Sequence, residues 1–184
     1  KRLLAYSSIG HVGYVLIALV AASDQGIRSA SIYMFIYLIM NISVFAILLS
    51  LKKSDKYVEQ IDELIGLSKS KPIISAFLAI IMLSMAGIPP FIGFFGKFYV
   101  FIAAVESQQY ILAILGVLAS VISAFYYLRI IKGMYFDEVI DGENFDFTIN
   151  NQVKVILLTS ILIITFFILY PSLLTNIVSG ISLV

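Results

Sequence analysis

The stretch from Pro72 to Val105, PIISAFLAIIMLSMAGIPPFIGFFGKFYVFIAAV, decides how this chain is read. As a straight helix its 34 residues would run about 51 Å at ~1.5 Å per residue, against a bilayer hydrocarbon core of about 30 Å. Something interrupts it. Pro89 and Pro90 each lack a backbone donor, and each disfavours helical geometry in the residue before it, so Ile88 and Pro89 leave the α region. Gly87, Gly93 and Gly96 loosen both flanks. The expectation is a discontinuous helix broken near Gly87–Gly93. Exposed to lipid, such a break would strand carbonyl groups at a cost of several kcal/mol each, so it faces protein or a water-filled cavity. It is either an ordinary proline kink or an interruption of the kind from which transporter sites are built.

Lys97 bears on that choice. It stands ten residues before Ser107, the outer end of the block, a helical depth of about 15 Å that places it near mid-membrane. Inserting a lysine there costs about 2.5–3.5 kcal/mol, and such residues mark ion or proton paths. The N-terminal end of a second half-helix, exposed near Gly93, is a positive pole beside it. The alternative is a structural ion pair with an acid elsewhere.

Composition says the same of the whole chain. Of 184 residues 61% are hydrophobic and 12% charged, which excludes an ordinary soluble domain. A net charge of +1, with the basic residues scattered among loops, makes nucleic-acid binding unexpected. With no cysteine and one histidine, neither a thiolate nor an imidazole metal site is expected. Lys1-Arg2 leads into an apolar run of about twenty residues without a small-residue cleavage site, unlike a signal peptide. A first residue other than Met suggests a chain that starts inside a larger protein. No low-complexity segment or internal repeat stands out.

The fold class expected is all-α, a polytopic membrane protein of about five transmembrane helices: 3–22, 27–51, 72–105 (broken), 110–135 and 153–172. Alternating the loops between two sides puts Lys1, Arg2, Lys52, Lys53, Lys56, Lys69, Lys71, Arg129, Lys132 and Lys154 on one side and Arg28 on the other. By the positive-inside rule the N-terminus and loops 52–71 and 136–152 are cytoplasmic and the C-terminus lies on the outer side. Tyr57–Leu67 reads as a short interfacial helix and the acidic loop Asp137–Asn151 as irregular.

Other polar groups share the depth of Lys97. His11 lies near mid-span, with Ser7, Ser8 and Tyr14 on its face at three- and four-residue spacing; it is either a packed core histidine or a proton relay. In the second span Ser29, Tyr33, Tyr37 and Asn41 recur every four residues and read as interhelical glue or path lining. Gly116, Ser120 and Ala124 form a small-residue ridge explained by close helix packing. Tyr126, Tyr127 and Arg129 read as an interfacial belt.

Two segments carry a resemblance. Lys1-Arg-Leu-Leu-Ala-Tyr-Ser-Ser-Ile-Gly-His-Val-Gly-Tyr14 and Gly87-Ile-Pro-Pro-Phe-Ile-Gly-Phe-Phe-Gly-Lys-Phe-Tyr-Val-Phe101 resemble the antiporter-like membrane subunits of respiratory complex I, the NADH:quinone oxidoreductase. The N-type subunits fit better than the M-type, which typically carry an acidic residue where Gly-Lys-Phe-Tyr stands, and His-x-Gly-Tyr follows Ala-Tyr-Ser-Ser. The resemblance covers the whole chain, as the family's tenth to fourteenth transmembrane helices, a C-terminal part holding the second of two five-helix repeats. It implies a proton-pumping module of an energy-transducing membrane, such as the bacterial inner membrane. Lys97 would match the family's terminal lysine and His11 its tenth-helix histidine, with Tyr37 and Asn41 where some relatives carry a histidine. The partners implied are other complex I membrane subunits, lipid and protons. NADH, FMN, iron–sulfur clusters and quinone would be bound by other subunits. A multisubunit cation/proton antiporter and a purely structural membrane anchor are the competing readings.

Overall fold

The computed structural model describes residues 2–53, 56–138, 145–149 and 151–167. Along them run α1 (Arg2–Val20), α2 (Asp24–Ser50), β1 (Leu51–Lys53), β2 (Lys56–Tyr57), a 3-10 turn (Asp62–Leu64), α3 (Leu67–Ser70), α4 (Pro72–Ala86), α5 (Ile92–Glu106), α6 (Tyr110–Tyr135), β3 (Phe145–Phe147) and α7 (Asn151–Phe166). Among these, α1, α2 and α6 are long and apolar enough to cross a membrane. Ile9, Val12 and Leu16 of α1, with Val121, Ile122 and Phe125 of α6, are exposed, a surface suited to lipid or to other membrane helices.

The central helix is α2, which packs against α1, α4, α5 and α7. Ile32, Ile36, Met40, Val44 and Ile47 step along it by three or four residues and are buried in the main core, as a helical stripe must be. Its start is set locally: the Ser23 hydroxyl accepts from the Gly26 N–H at 3.1 Å, and Asp24 lies in the first turn, where a negative charge is favoured. α1 turns the face Leu4, Ser7, His11, Tyr14 and Ala18 inward.

The long apolar block is two half-helices, α4 and α5, of 15 residues each and so about 22 Å long. Gly87 ends α4 at φ +84°, a left-handed conformation that a side chain resists. Its N–H donates to the Ser84 carbonyl, and the Ile88 N–H donates to that of Leu83, a Schellman closure. The Pro89–Pro90 peptide is cis, both prolines are exposed, and α5 begins after extended Phe91. The start of α5 lies against the last turn of α4 so closely that a Cβ at Gly93 would stand 1.9 Å from the Ser84 carbonyl oxygen. Gly93 is thus required for contact rather than for slack. Gly96 is closely placed too, though less so, a Cβ there standing 2.9 Å from the Tyr33 ring.

Two loop expectations need correction. Tyr57–Leu67 is not one interfacial helix. Tyr57 belongs to β2, and the Glu63 carboxylate accepts from the Glu59 and Gln60 N–H groups at 2.7 and 3.0 Å, holding an irregular turn. Gly66, at φ +85°, then prevents a helix from running through to Leu67. The loop after α6 is not wholly irregular either, since β3 pairs antiparallel with β1 in a sheet of order β2-β1-β3. Lys52 lies opposite Asp146 and Lys53 opposite Phe145, and the Lys53 ammonium sits 5.3 Å from the Phe145 ring centre, so favourable cross-strand pairs join β3 to β1. The rest of the expected fifth span, residues 168–172, lies outside the described residues.

Candidate functional site

Lys97 lies on the second turn of α5 and is 4% exposed. Its ammonium reaches back across the break to α4, donating to the Met85 carbonyl at 3.0 Å and the Ala86 carbonyl at 3.1 Å. A third hydrogen bond goes to the Ser120 hydroxyl of α6 at 2.9 Å. The last four carbonyls of a helix have no intrahelical donor. Here Leu83 and Ser84 are served by the Schellman turn and Met85 and Ala86 by Lys97. The cation therefore rests at the negative pole of a half-helix, the position where broken-helix transporters hold cations. This corrects the expectation of a positive pole beside it: the N-terminal end of α5 is engaged elsewhere, with the Gly93 N–H donating to the Ser84 hydroxyl at 3.1 Å. Among the described residues no carboxylate pairs with Lys97, whose bonds go to two carbonyls and a hydroxyl.

His11 is equally enclosed, 2% exposed. Its Nδ1 is 2.8 Å from the Tyr33 hydroxyl and its Nε2 2.9 Å from that of Tyr127. The Tyr127 hydroxyl also hydrogen-bonds Ser7. Tyr37 stacks on the imidazole at 4.5 Å between ring centres. Tyr14 bridges the two titratable groups: its ring lies edge-on to His11 at 6.1 Å, and the Lys97 ammonium stands 5.1 Å from its centre, within cation–π range.

A cavity of about 170 Å³ opens between α1 and α6, lined on its polar side by Ser7, His11, Tyr14 and Ser123. At ~30 Å³ per molecule it can hold several waters, and it has the polar groups to bind them. The site thus presents two titratable side chains, a tyrosine between them, and a cavity alongside that polar groups reach.

Of the residues singled out in the sequence, Ser7, His11, Tyr14, Tyr33, Tyr37 and Lys97 meet in one cluster. Ser8 donates to the Ala5 carbonyl at 2.6 Å and touches the cluster only at its edge, beside Tyr37. Asn41 is partly buried and stays outside the cluster. At 3.6 residues per turn a four-residue step rotates by about 40°, so a stripe that starts at Ser29 has turned roughly 120° by Asn41. Two readings were too modest. Tyr127 is fully buried against His11, not part of an interfacial belt, and Ser120 binds Lys97 rather than only easing helix packing. Their spacing with Ser123, at i, i+3 and i+7, was the available signal.

Buried cation, broken helix and apolar long helices together define an antiporter-like membrane domain. Residues 1–123 match the family model described as "NADH:quinone oxidoreductase/Mrp antiporter, TM", and the chain belongs to that family. It is 51% identical over 172 residues to the NADH-quinone oxidoreductase subunit N of Paramagnetospirillum magneticum, covering 94% of this chain and 35% of the relative. A chain in the structure of respiratory complex I from Thermus thermophilus with bound aureothin superposes with a TM-score of 0.80 at 28% identity, over 96% of this chain and 39% of that one. A chain of the Mrp complex from Dietzia sp. shares the fold at a TM-score of 0.63 and 24% identity, over 73% of this chain and 25% of that one. This chain therefore spans little more than a third of the curated relative's length.

Proposed function

We propose that this chain is part of the antiporter-like N subunit of NADH:quinone oxidoreductase and translocates protons without redox chemistry of its own. The observation that carries the reading is the buried Lys97 ammonium, held by the two carbonyls that the helix break frees and by Ser120. A lysine secured by dipoles instead of a carboxylate can give up its proton without leaving an unpaired buried anion. In this reading Lys97 loads a proton toward the outer half-channel, His11 relays from the centre, and Tyr14 and the α1–α6 cavity lie between them. The break at Gly87, Pro89, Pro90 and Gly93 lets the half-helices respond to coupling. Ser8 and Asn41 line the path more remotely.

The proposed setting is a bacterial inner membrane or an equivalent energy-transducing membrane, beside the other membrane subunits of complex I. The N-terminal side and the small sheet face the cytoplasm. The 51% identity to a subunit N supports this setting. NADH, FMN, iron–sulfur clusters and quinone belong to other subunits. A second reading, a cation/proton antiporter subunit, draws on the fold shared with the Mrp complex chain. Sodium-dependent proton movement in vesicles without NADH dehydrogenase activity would favour it.

The test is Lys97→Ala in the complete complex, with proton translocation and NADH oxidation measured together. The expected result is an assembled complex that moves fewer protons per electron; an unchanged stoichiometry overturns the assignment.

A further inference from the structure

His11 has both ring nitrogens engaged by tyrosine hydroxyls from different helices, Tyr33 of α2 and Tyr127 of α6. A ring with one proton offers one donor and one acceptor, whereas a doubly protonated ring offers two donors. The direction of the bonds follows from Tyr33. Its side chain is fully buried, and among the described residues its hydroxyl bonds only to His11 Nδ1. If Nδ1 carried the proton, the Tyr33 O–H would be left without an acceptor, and a buried unsatisfied donor is strongly disfavoured. Tyr33 therefore donates, and Nδ1 accepts.

The bond on the other ring nitrogen is then fixed too. The imidazole proton sits on Nε2 and is donated to the Tyr127 oxygen. That hydroxyl also hydrogen-bonds Ser7, a contact in which either oxygen can donate. Ser7 lines the cavity between α1 and α6, so the chain ends at a space that can hold water. Ring contacts reinforce the orientation, because Tyr37 stacked on the imidazole prevents the ring from turning over without displacing a neighbour.

We propose that Tyr33 and Tyr127 clamp His11 as a singly protonated ring with its proton on Nε2, directed from Tyr33 through His11 to Tyr127, whose hydroxyl meets Ser7. Tyr127 is then a positioning residue: it acts through His11 by presenting the N–H edge of the ring to the cavity. The clamp deepens the reading of His11 as a relay and rests on it only for its effect on transport.

The experiment is infrared difference spectroscopy on the complete complex with ring-labelled histidine, where bands absent from a His11→Gln complex belong to His11. The expected wild-type spectrum is that of an Nε2–H ring, and Tyr33→Phe or Tyr127→Phe shifts it toward the other tautomer. An Nδ1–H or doubly protonated ring in the wild type overturns the clamp, and this measurement needs no variant at the tyrosines to fold. Two unchanged spectra from Tyr33→Phe and Tyr127→Phe overturn it as well. In transport, Tyr127→Phe is expected to slow proton translocation several-fold in the wild-type background and to have no further effect in His11→Gln. An additional loss in His11→Gln overturns the positioning role. Normal translocation by His11→Gln itself overturns the relay reading and leaves the spectroscopic result to decide the clamp.

Discussion

Lys97 in α5 stands across the helix break from Ala86 in α4, its ammonium 3.1 Å from the Ala86 carbonyl oxygen, so the buried cation is also the C-terminal cap of the other half-helix. Lysines near a helix C-terminus commonly serve its last carbonyls from within the same helix. Here the cap comes from the following helix, and the charge state of one half becomes linked to the closure of the other. A neutral amine has one N–H fewer than an ammonium and one lone pair more, so proton loss requires either that the Ser120 hydroxyl turn to donate to the nitrogen or that one of three acceptors lose its donor.

This linkage predicts a local effect of Lys97→Ala beside the loss of transport. Two buried carbonyls lose their donor, at about 1–3 kcal/mol each, and the Schellman turn next to them loosens. Amide hydrogen exchange at Gly87 and Ile88 should accelerate in the assembled variant, while that in the middle of α2 stays slow.

Ser120→Ala removes the third acceptor of the Lys97 ammonium without touching the carbonyl pair. A hydrogen bond to a charged group contributes about 1.5–3 kcal/mol, so proton translocation should fall less than in Lys97→Ala. Ser120→Thr, which keeps the hydroxyl, should recover most of it. Paired measurements of proton movement and NADH oxidation in the complete complex check the order of the three variants.

Gly93→Ala and Gly10→Ala make a contrasting pair. A Cβ at Gly93 would stand 1.9 Å from the Ser84 carbonyl oxygen, whereas nothing lies within 4 Å of one at Gly10. Overpacking against backbone costs about 1–3 kcal/mol or more. Gly93→Ala should therefore lower the yield of assembled complex while Gly10→Ala assembles normally, as read from membrane extracts by native electrophoresis.

The turn before α3 should respond to acid. The Glu63 carboxylate accepts from the Gln60 and Glu59 N–H groups, which holds its pKa below the ordinary glutamate value. A depressed folded value means that the stabilisation is present above the ordinary glutamate pKa and is lost as pH falls through the lowered one. Exchange at the Glu59 and Gln60 amides, corrected for intrinsic pH dependence, should be protected at neutral pH and lose protection in strong acid. Glu63→Gln should be less protected already at neutral pH.

Several of these features were legible in the sequence for local reasons. The prolines, whose missing donors and steric demands act on their neighbours alone, marked the interruption. The four-residue spacing from Ser7 to His11 put both on one helical face, and the structure buries both. The small sheet was not legible: β1 and β3 pair Lys52 with Asp146, far apart along the chain, and each strand is only three residues long. Tyr127 beside Arg129 has the composition of an interfacial belt, and only the rotation of α6 against α1 turns its hydroxyl toward His11.

The sequence by itself determined that the chain is an apolar helical membrane domain, that one helix is broken after Gly87, and that a lysine lies deep beside the break. Hydropathy, helical rise and the absence of proline N–H groups are properties of consecutive residues, and no tertiary contact is needed to read them. The tertiary structure alone decided which groups hold that lysine and which clamp the histidine. Met85 and Ala86 of α4 with Ser120 of α6 surround Lys97, and Tyr33 of α2 with Tyr127 of α6 surround His11, all on helices other than the one they serve. Their meeting depends on how those helices rotate and how closely they approach, and packing between distant segments sets both.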